Sequence, residues 1–286
     1  MESWLNRGKY IVAPQWYGAN RKGPELGARH VSELVRNLGA ELIRLDIPED
    51  DHDDDKLMPH FSVIDTVNRA ICKSVSSALS TGSKVITIGG DHSVSWGSIS
   101  GALAFNPEVG VIYIDAHGDC NIAEYSLTHH IHGMHMAYLM GFGDCKYVRR
   151  YTNSLLPVKN IMYIGTRSLD PYEVELIEDN DISLISSDQI NSTLTATLER
   201  ISEFVSRFKQ THISLDIDVL DPSVAPGTGV PEVGGISEEF LDVILEKIIR
   251  TNTVSSIDLV EFNPLYDIDS CTEKVVERIV RRIINI

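Results

Sequence analysis

The chain has 286 residues, 43% hydrophobic and 23% charged, which is ordinary for a globular protein with a sizeable core. Its formal net charge of −16 argues against nucleic acid or an anionic membrane surface as a partner. The four cysteines lack CxxC spacing, no signal peptide is visible and no apolar run approaches the roughly 20 residues of a membrane span, so we expect a cytoplasmic protein with reduced thiols.

Apolar, β-rich runs alternate along the chain with segments of helical length and period. The predicted strands cover residues 10–13, 41–47, 84–88, 110–115, 160–165, 182–185, 212–218 and 255–261. The clearest predicted helices cover residues 62–79, 93–104, 194–208, 237–250 and 272–284. This alternation favours a parallel sheet covered on both faces. We therefore predict one α/β domain over residues 1–286, a three-layer α/β/α fold with a mainly parallel sheet of roughly eight strands.

Acids and histidines stand at the ends of three of the predicted strands: GGDH at 89–92, DAHGD at 115–119 and DID at 216–218. Alternate residues of an extended strand point to the same side, so the acids and the histidine of each segment are expected to converge. Ligands in parallel sheets bind beyond the carboxyl ends of the strands. The three segments therefore predict one site at that edge of the sheet.

The residues gathered by this pattern are His92, Asp115, His117, Asp119, Asp216 and Asp218. Four carboxylates beside two imidazoles repel one another unless cations lie between them, which predicts a binuclear metal centre. An oxygen-rich set with two imidazoles favours Mn²⁺ and is compatible with Zn²⁺, Co²⁺, Ni²⁺ or Fe²⁺. Two such ions can share a bridging water and lower its pKa, which indicates metal-assisted hydrolysis of an electrophilic carbon or phosphorus.

An ordered set of segments resembles the ureohydrolases, and among these the arginases. The matching segments are GGDHSVSWGSIS at 89–100, IDAHGDCN at 114–121, HGM at 132–134, SLDIDVLDP at 214–222, APGTGVPEVGG at 225–235 and VEFNP at 260–264, with GANRKGPELG at 18–27 before them. The resemblance implies an arginase-like fold with two Mn²⁺ per subunit. It also implies a small guanidino substrate and a homo-oligomer, either a trimer or a hexamer.

The resemblance also assigns the metal ligands. His92 would bind one ion and His117 the other, while Asp115 and Asp216 would bridge. Asp119 would complete the first site and also hold the metal-bridging hydroxide by a hydrogen bond. Asp218 would complete the second site.

In the family, the hydroxide attacks the guanidinium carbon, and the intermediate collapses to urea and an amine. Glu261 matches the glutamate that binds the guanidinium, which suits a planar cation with several N–H donors. His132 matches the histidine that relays a proton to the leaving amine, since its ordinary pKa lies near neutrality. His135, one helical turn later, is given a structural role.

The substrate is predicted less directly than the reaction. Asn121, Asp170 and Glu173 match family residues that recognise the α-amino and α-carboxylate groups of an amino acid, which favours L-arginine. Thr128, His129 and His130 stand where arginases commonly have Ser, Gly and Asn. Thr128 and His130 are therefore predicted to contact the substrate, unless the two histidines are exposed loop residues outside the pocket.

That departure keeps alternatives open. The chain could be another ureohydrolase: an agmatinase, guanidinobutyrase, guanidinopropionase or formiminoglutamase. A more remote alternative is a metal-binding relative without turnover. The complete set of ligands, with His132 and Glu261, argues against that last interpretation.

Overall fold

Eight strands form one sheet in the computed structural model, which describes residues 4–50 and 55–285. They are β1 (Gly8–Ala13), β2 (Leu42–Arg44), β3 (Lys84–Gly89), β4 (Gly110–Ile114), β5 (Ile161–Ile164), β6 (Ser183–Ile185), β7 (Thr211–Asp216) and β8 (Val254–Val260). Their order is β2-β1-β3-β8-β7-β4-β5-β6, and every neighbouring pair is parallel. The predicted fold class is confirmed.

Helices cover both faces of this sheet. They are α1 (Trp4–Arg7), α2 (Pro24–Asn37), α3 (Phe61–Ser80), α4 (Val94–Phe105), α5 (His135–Met140), α6 (Pro171–Asp179), α7 (Ser187–Ser192), α8 (Leu194–Ser206), α9 (Glu238–Ile249) and α10 (Cys271–Asn285). One apolar cluster joins α2, α8, α9 and α10 to one face, and a second joins α3, α4, α5 and α6 to the other. The five predicted helices are α3, α4, α8, α9 and α10, each within two residues of its predicted bounds.

The central strands are buried on both faces, which explains their nearly continuous apolar sequences. In β4, Ile112 and Ile114 pack into the first cluster, while Val111 and Tyr113 pack into the second. None of these four side chains is exposed to solvent. This double burial holds the ends of the central strands in fixed positions.

Several sequence predictions concern the chain outside the sheet. The charge of residues 48–56 predicts a solvated loop, and residues 51–54 of that stretch lie outside the described part. The four cysteines are all unpaired, in agreement with the prediction of reduced thiols. No helix among the described residues is both long enough and apolar enough to cross a bilayer.

Candidate metal centre and substrate pocket

The carboxyl ends of four adjacent strands, β3, β8, β7 and β4, carry the predicted metal ligands and the predicted guanidinium-binding glutamate. His92 follows β3, and Glu261 comes directly after β8. Asp216 is the last residue of β7, and Asp115 comes directly after β4. Strands that are distant in sequence are thus neighbours in the sheet, and their ends meet in one place.

The side chains converge through turns, not through strand alternation. β4 ends at Ile114, and β7 ends at Asp216. Asp218 lies in a 3-10 turn (Ile217–Val219), where its N–H donates to Asp216 Oδ1 at 2.8 Å. Asp119 has a φ of 47°, in the left-handed region. The expected cause of convergence, an extended strand reaching positions 119 and 218, is therefore wrong, although the residues do meet.

The first group of ligand atoms surrounds His92. Its Nδ1 lies 2.9 Å from Asp115 Oδ2, 3.1 Å from Asp216 Oδ2 and 3.2 Å from Asp119 Oδ2. The side chains of His92 and Asp115 are each 1% exposed. One imidazole nitrogen and three carboxylate oxygens therefore face a common, enclosed point.

The second group surrounds His117, whose side chain is 21% exposed. Its Nδ1 lies 3.0 Å from Asp218 Oδ2 and 3.4 Å from Asp115 Oδ1. Asp115 thus turns one oxygen toward His92 and the other toward His117. This is the arrangement expected of a carboxylate shared by two ions.

The electrostatics of this centre are unfavourable without a cation. Burial raises the pKa of the Asp115 carboxyl to about 6, with further contributions from Asp218 and other neighbouring carboxylates. Burial, Asp218 and Asp115 raise the pKa of Asp216 well above its usual value. Burial alone would lower the pKa of His92, but its contacts with three aspartates raise it well above the usual value. The centre attracts positive charge, as protons or as metal ions.

A series of side-chain hydrogen bonds on the other side of His92 shows which nitrogen of this imidazole faces the metal centre. Ser95 Oγ donates to Asp258 Oδ2 at 2.8 Å, because a carboxylate only accepts. Ser214 Oγ then donates to Ser95 Oγ at 3.0 Å, and His92 Nε2 donates to Ser214 Oγ at 2.8 Å. Nδ1 of a neutral His92 is left with its lone pair directed at three carboxylates. The site therefore fits a metal ion.

Two further observations support this fit. Asp115 Oδ2 accepts no hydrogen bond from the described residues. None of the four aspartates of the centre forms an ion pair with a lysine or arginine in the described part of the chain. Three groups of ligand atoms, each lying within 4.8 Å, are found here: His92 with Asp115 and Asp216, Asp115 with His117 and Asp218, and His92 with Asp119 and His135.

The hydrogen-bond network that joins His92 to Asp258 through two serines is not predicted by the sequence pattern. His212 Nε2 lies 3.1 Å from the same Asp258 oxygen, so a buried imidazole also contacts this carboxylate. A signal was present, because β7 reads Thr-His-Ile-Ser-Leu-Asp and places polar residues at alternate positions of a buried strand. Such outer partners orient metal ligands and fix the imidazole tautomer.

Asp91 of the GGDH segment has a different task from His92. Its Oδ2 accepts the Gly18 N–H at 2.9 Å, and its Oδ1 accepts the Ser93 N–H at 2.9 Å. A Cβ at position 18 would lie 2.4 Å from Asp91 Oδ1, so only glycine allows this approach. The contact explains why the segment 18–27, far away in sequence, belongs to the site.

Glu261 and His132 form a pair above the metal centre. His132 Nδ1 lies 3.0 Å from Glu261 Oε1, which also accepts the His92 N–H at 2.8 Å. Glu261 Oε2 is buried and has no hydrogen-bond partner among the described residues. Burial opposes protonation of His132, but the hydrogen bond and the charge of Glu261 raise its pKa to about 9. The pair combines an imidazolium with a carboxylate that has one unused oxygen.

The residues predicted to recognise an amino acid also lie together. Asn121 Nδ2 donates to Asp170 Oδ2 at 2.7 Å. Glu173 accepts the Asp170 N–H at 2.8 Å with one oxygen and the Cys120 N–H at 2.9 Å with the other. Burial raises the pKa of the Glu173 carboxyl to about 7. Glu173 thus fastens the start of α6 to the segment that carries Asp119 and Asn121.

A cavity of about 400 Å³ opens above these groups. Its lining includes Arg21, Thr128, His130, His132, Asp170 and Glu261. His129 is not part of the lining; its φ is 56°, and its N–H donates to Ser126 Oγ at 3.0 Å. The structure therefore separates the two unusual histidines, because His130 lines the cavity and His129 does not.

The electrostatic surroundings of His130 are cationic. Burial lowers the pKa of His130 to about 4, and the charges of His132 and Arg21 add to the shift. Its ring is thus neutral at neutral pH, with its centroid 5.9 Å from that of His132. Arg21 was not among the predicted site residues; its guanidinium donates to the Gly229 carbonyl. A neutral ring and a nearby guanidinium offer N–H donors at this side of the cavity.

Comparison with known proteins gives a consistent result. The model of the arginase family matches residues 11–285. An arginase of Staphylococcus aureus (strain COL) is 33% identical over 279 residues, covering 92% of this chain and 91% of that protein. An arginase of Bacillus subtilis (strain 168) is 31% identical over 286 residues, with 96% of each chain covered. The crystal structure of Entamoeba histolytica arginase with L-ornithine superposes with a TM-score of 0.91 at 26% identity, covering 100% of both chains.

Proposed function

The chain belongs to the arginase family of ureohydrolases, and we propose that it hydrolyses L-arginine to L-ornithine and urea with two Mn²⁺ ions. One observation carries this proposal. Two imidazole–carboxylate groups share Asp115 at the floor of a cavity, and the cavity also holds a glutamate with an unused oxygen, Glu261. Such a floor suits metal ions, and such a glutamate suits a guanidinium group.

The ligands divide between two ions in this proposal. His92, Asp115, Asp119 and Asp216 would hold the first, and His117, Asp115, Asp216 and Asp218 the second. Bound there, the two ions supply a water of lowered pKa as the nucleophile. All of these six side chains except His117 have less than a tenth of their surface exposed. The nucleophile would therefore form in a site from which most bulk water is excluded.

Glu261 would bind the guanidinium. Its Oε1 is held by the His92 N–H and by His132, so the carboxylate cannot rotate freely. Its free Oε2 can accept an N–H from the substrate. A guanidinium is planar and presents its donors in a fixed fork, so a fixed carboxylate orients the carbon that is attacked.

His132 would supply the proton for the leaving amine. Its Nδ1 contacts Glu261, so Nε2 is the nitrogen left to act. The raised pKa, about 9, keeps this imidazole protonated at neutral pH in the metal-free protein. A protonated imidazole at the cavity can donate as the C–N bond breaks.

The far end of the substrate would meet Asp170 and Asn121 on one side. The carboxylate of Asp170 would face the α-ammonium, and the Asn121 amide holds that carboxylate at 2.7 Å. Glu173 would act through its backbone contacts to Asp170 and Cys120. Thr128 and His130 would meet the α-carboxylate, with the nearby Arg21 adding positive charge.

The alternative substrates differ at this end. Agmatine has no α-carboxylate, and guanidinobutyrate and guanidinopropionate have no α-ammonium. Asp170 together with His130 favours a substrate that carries both groups. Our proposal extends to a homo-oligomer, trimer or hexamer, in the cytoplasm.

The decisive experiment measures urea release by the Mn²⁺-loaded protein with L-arginine, agmatine, guanidinobutyrate and guanidinopropionate, and formamide release with formiminoglutamate. We expect urea and L-ornithine in equal amounts from L-arginine. Activity on agmatine alone would show that the substrate assignment is wrong. Two bound Mn²⁺ ions without turnover of any compound would favour a metal-binding relative.

A further inference from the structure

The hydroxyl of Tyr113 lies among three side chains of the metal centre, a position that the sequence analysis did not anticipate. It lies 2.7 Å from Asp119 Oδ2, 3.1 Å from His92 Nδ1 and 3.2 Å from His135 Nε2. The tyrosine, both histidines and the carboxylate are all buried. A polar group at this depth needs a partner, so its contacts must be assigned.

The single phenolic proton goes to Asp119. The carboxylate can only accept, and its oxygen is the closest of the three. His92 Nδ1 lies 3.2 Å from the same oxygen but is assigned to the metal ion, so Tyr113 is the only other group among the described residues that donates a hydrogen bond to the Asp119 carboxylate. This bond is therefore the one directional contact that sets the orientation of that side chain.

Hydrogen bonds hold the backbone of Asp119 in place, so only its side-chain torsion angles remain free to change. Its carbonyl accepts the Met136 N–H at 3.0 Å, and the next residue, Cys120, donates its N–H to Glu173. The φ of 47° is one that L residues rarely adopt, so surrounding contacts must maintain it. Rotation about the Asp119 side-chain bonds is then limited chiefly by Tyr113.

His135 supports Tyr113 from the other side. Its Nδ1 donates to the His132 carbonyl at 2.9 Å, because a carbonyl can only accept. Its ring packs against both Tyr113 and His92, with centroids 5.9 Å and 5.2 Å apart. The phenol is thus confined between this ring and the Asp119 carboxylate.

These contacts also argue against a third metal ion between His92, Asp119 and His135. His92, Asp119 and His135 present ligand atoms within 4.8 Å of one another, as a metal site would. The hydroxyl oxygen of Tyr113, however, occupies the space that they share. This group of three therefore binds a hydroxyl of the protein itself.

We propose that Tyr113, supported by His135, is a positioning residue that holds the Asp119 carboxylate toward His92 for the first metal ion. The proposal rests on the binuclear centre of the proposed function. Replacing a residue that hydrogen-bonds to a metal ligand commonly changes metal affinity by about 10- to 100-fold. The effect should be confined to the first ion, because no contact joins Asp119 to His117 among the described ion pairs.

Tyr113→Phe is the appropriate test, because it removes one oxygen and keeps the ring that stacks on His92 at 4.8 Å. Metal-free protein is titrated with Mn²⁺ by calorimetry, and bound Mn²⁺ is counted by equilibrium dialysis. We expect one ion to bind about 10- to 100-fold more weakly and the other to bind as in the unmodified protein. The EPR signal of a coupled Mn²⁺ pair should then appear only at higher Mn²⁺ concentration.

Tyr163→Phe is the matched control. Tyr163 is a buried tyrosine on the neighbouring strand β5, with its ring 5.3 Å from that of Tyr113, and its hydroxyl donates to neither Asp119 nor His92 among the described hydrogen bonds. We expect both Mn²⁺ affinities to remain unchanged in this variant. Equal weakening in Tyr163→Phe and Tyr113→Phe would mean general loosening of the core, which would overturn the proposal.

A double-mutant cycle shows whether Tyr113 acts through Asp119. In an Asp119→Ala background, where no side-chain oxygen accepts the phenol, Tyr113→Phe should cause no further loss of affinity for the first ion. An undiminished loss in that background would overturn the proposed route. His135→Asn, which keeps a donor for the His132 carbonyl, gives an independent variant and should weaken the same ion.

The outcomes for the two proposals are distinct. If the unmodified protein does not bind two Mn²⁺ ions, the proposed function fails. If it binds two and Tyr113→Phe binds both equally well, only the positioning role fails. Weakening of both ions to the same extent in Tyr113→Phe would also contradict the positioning role, because Asp119 contacts only one of the two groups.

Discussion

The metal centre and the 126–132 loop are built in opposite ways, although they lie at the same cavity. Side chains of the metal centre come from the ends of strands buried on both faces, and most are almost fully enclosed. The loop exposes Leu127 by 90% and is held mainly by its own short contacts, such as the Thr128 hydroxyl with the His130 N–H at 3.3 Å. The rigid floor can determine the reaction, while the loop can change the substrate without disturbing it.

Asp115→Asn should have the largest effect on metal binding and turnover. It tests how far the metal centre at the floor of the cavity depends on one shared carboxylate. An amide cannot supply two anionic oxygens to His92 and His117, so we expect loss of both ions and of arginine hydrolysis. Metal content per chain and urea release are the measurements. Asp188→Asn, on an exposed part of α7, is the control and should retain both properties. Normal turnover by Asp115→Asn would remove the residue from the centre.

His132→Asn tests the boundary between floor and cavity. We expect kcat to fall by about 10²- to 10⁴-fold, the usual contribution of a positioned acid or base. The Mn²⁺ content should stay at the level of the unmodified protein, since His132 contacts Glu261 and none of the metal ligands through its side chain. An unchanged kcat would exclude His132 from proton transfer.

The same variant should alter the pH dependence of stability in the metal-free protein. The pKa of His132 is about 9 in the folded chain, above the value of about 6.5 expected when unfolded. Its stabilising contribution is then fully present below pH 6.5 and is lost as the pH rises through 9. Chemical denaturation across this range should show a smaller decline in the free energy of unfolding for His132→Asn. Parallel curves for both proteins would contradict the assigned shift.

Asp170→Asn tests the side of the cavity that we assign to the α-ammonium. Loss of a charged hydrogen bond costs about 1.5–3 kcal/mol, which corresponds to roughly a 10- to 100-fold fall in kcat/KM for L-arginine. Steady-state kinetics with a guanidino acid that lacks the α-ammonium provide the comparison, because that compound should lose little. An equal loss for both compounds would indicate that Asp170 only supports the fold.

His130→Asn should have the smallest effect on activity. It tests most directly whether the 126–132 loop, and not the metal centre, selects the substrate. A neutral hydrogen bond contributes about 0.5–1.5 kcal/mol, so we expect roughly a 2- to 10-fold change in the ratio of kcat/KM between L-arginine and other guanidino compounds. His129→Asn is the matched control, since His129 does not line the cavity and asparagine tolerates its positive φ. If both variants behave alike, the loop does not select the substrate through His130.

The sequence predicted the fold, and it predicted that the acids and histidines of the floor lie together, because both depend on short patterns. Alternating strands and helices are legible from periodicity, and acids at strand ends must meet where parallel strands end together. The ends of strands are predicted less accurately: the sequence pattern extends β7 through Asp218, but the chain turns after Asp216. The two-residue alternation of side chains cannot distinguish the last residues of a strand from the tight turn that follows it.

By itself, the sequence determined the reaction class, because the ordered acids and histidines have few other chemical uses. Only the tertiary structure decided which groups support those ligands. Tyr113 lies inside an apolar strand and His135 begins a helix, and their contact with Asp119 depends on chain segments packed over the same sheet edge. The same holds for Asp258, which reaches His92 across two serines. Such contacts arise from packing between distant segments, and no local pattern records them.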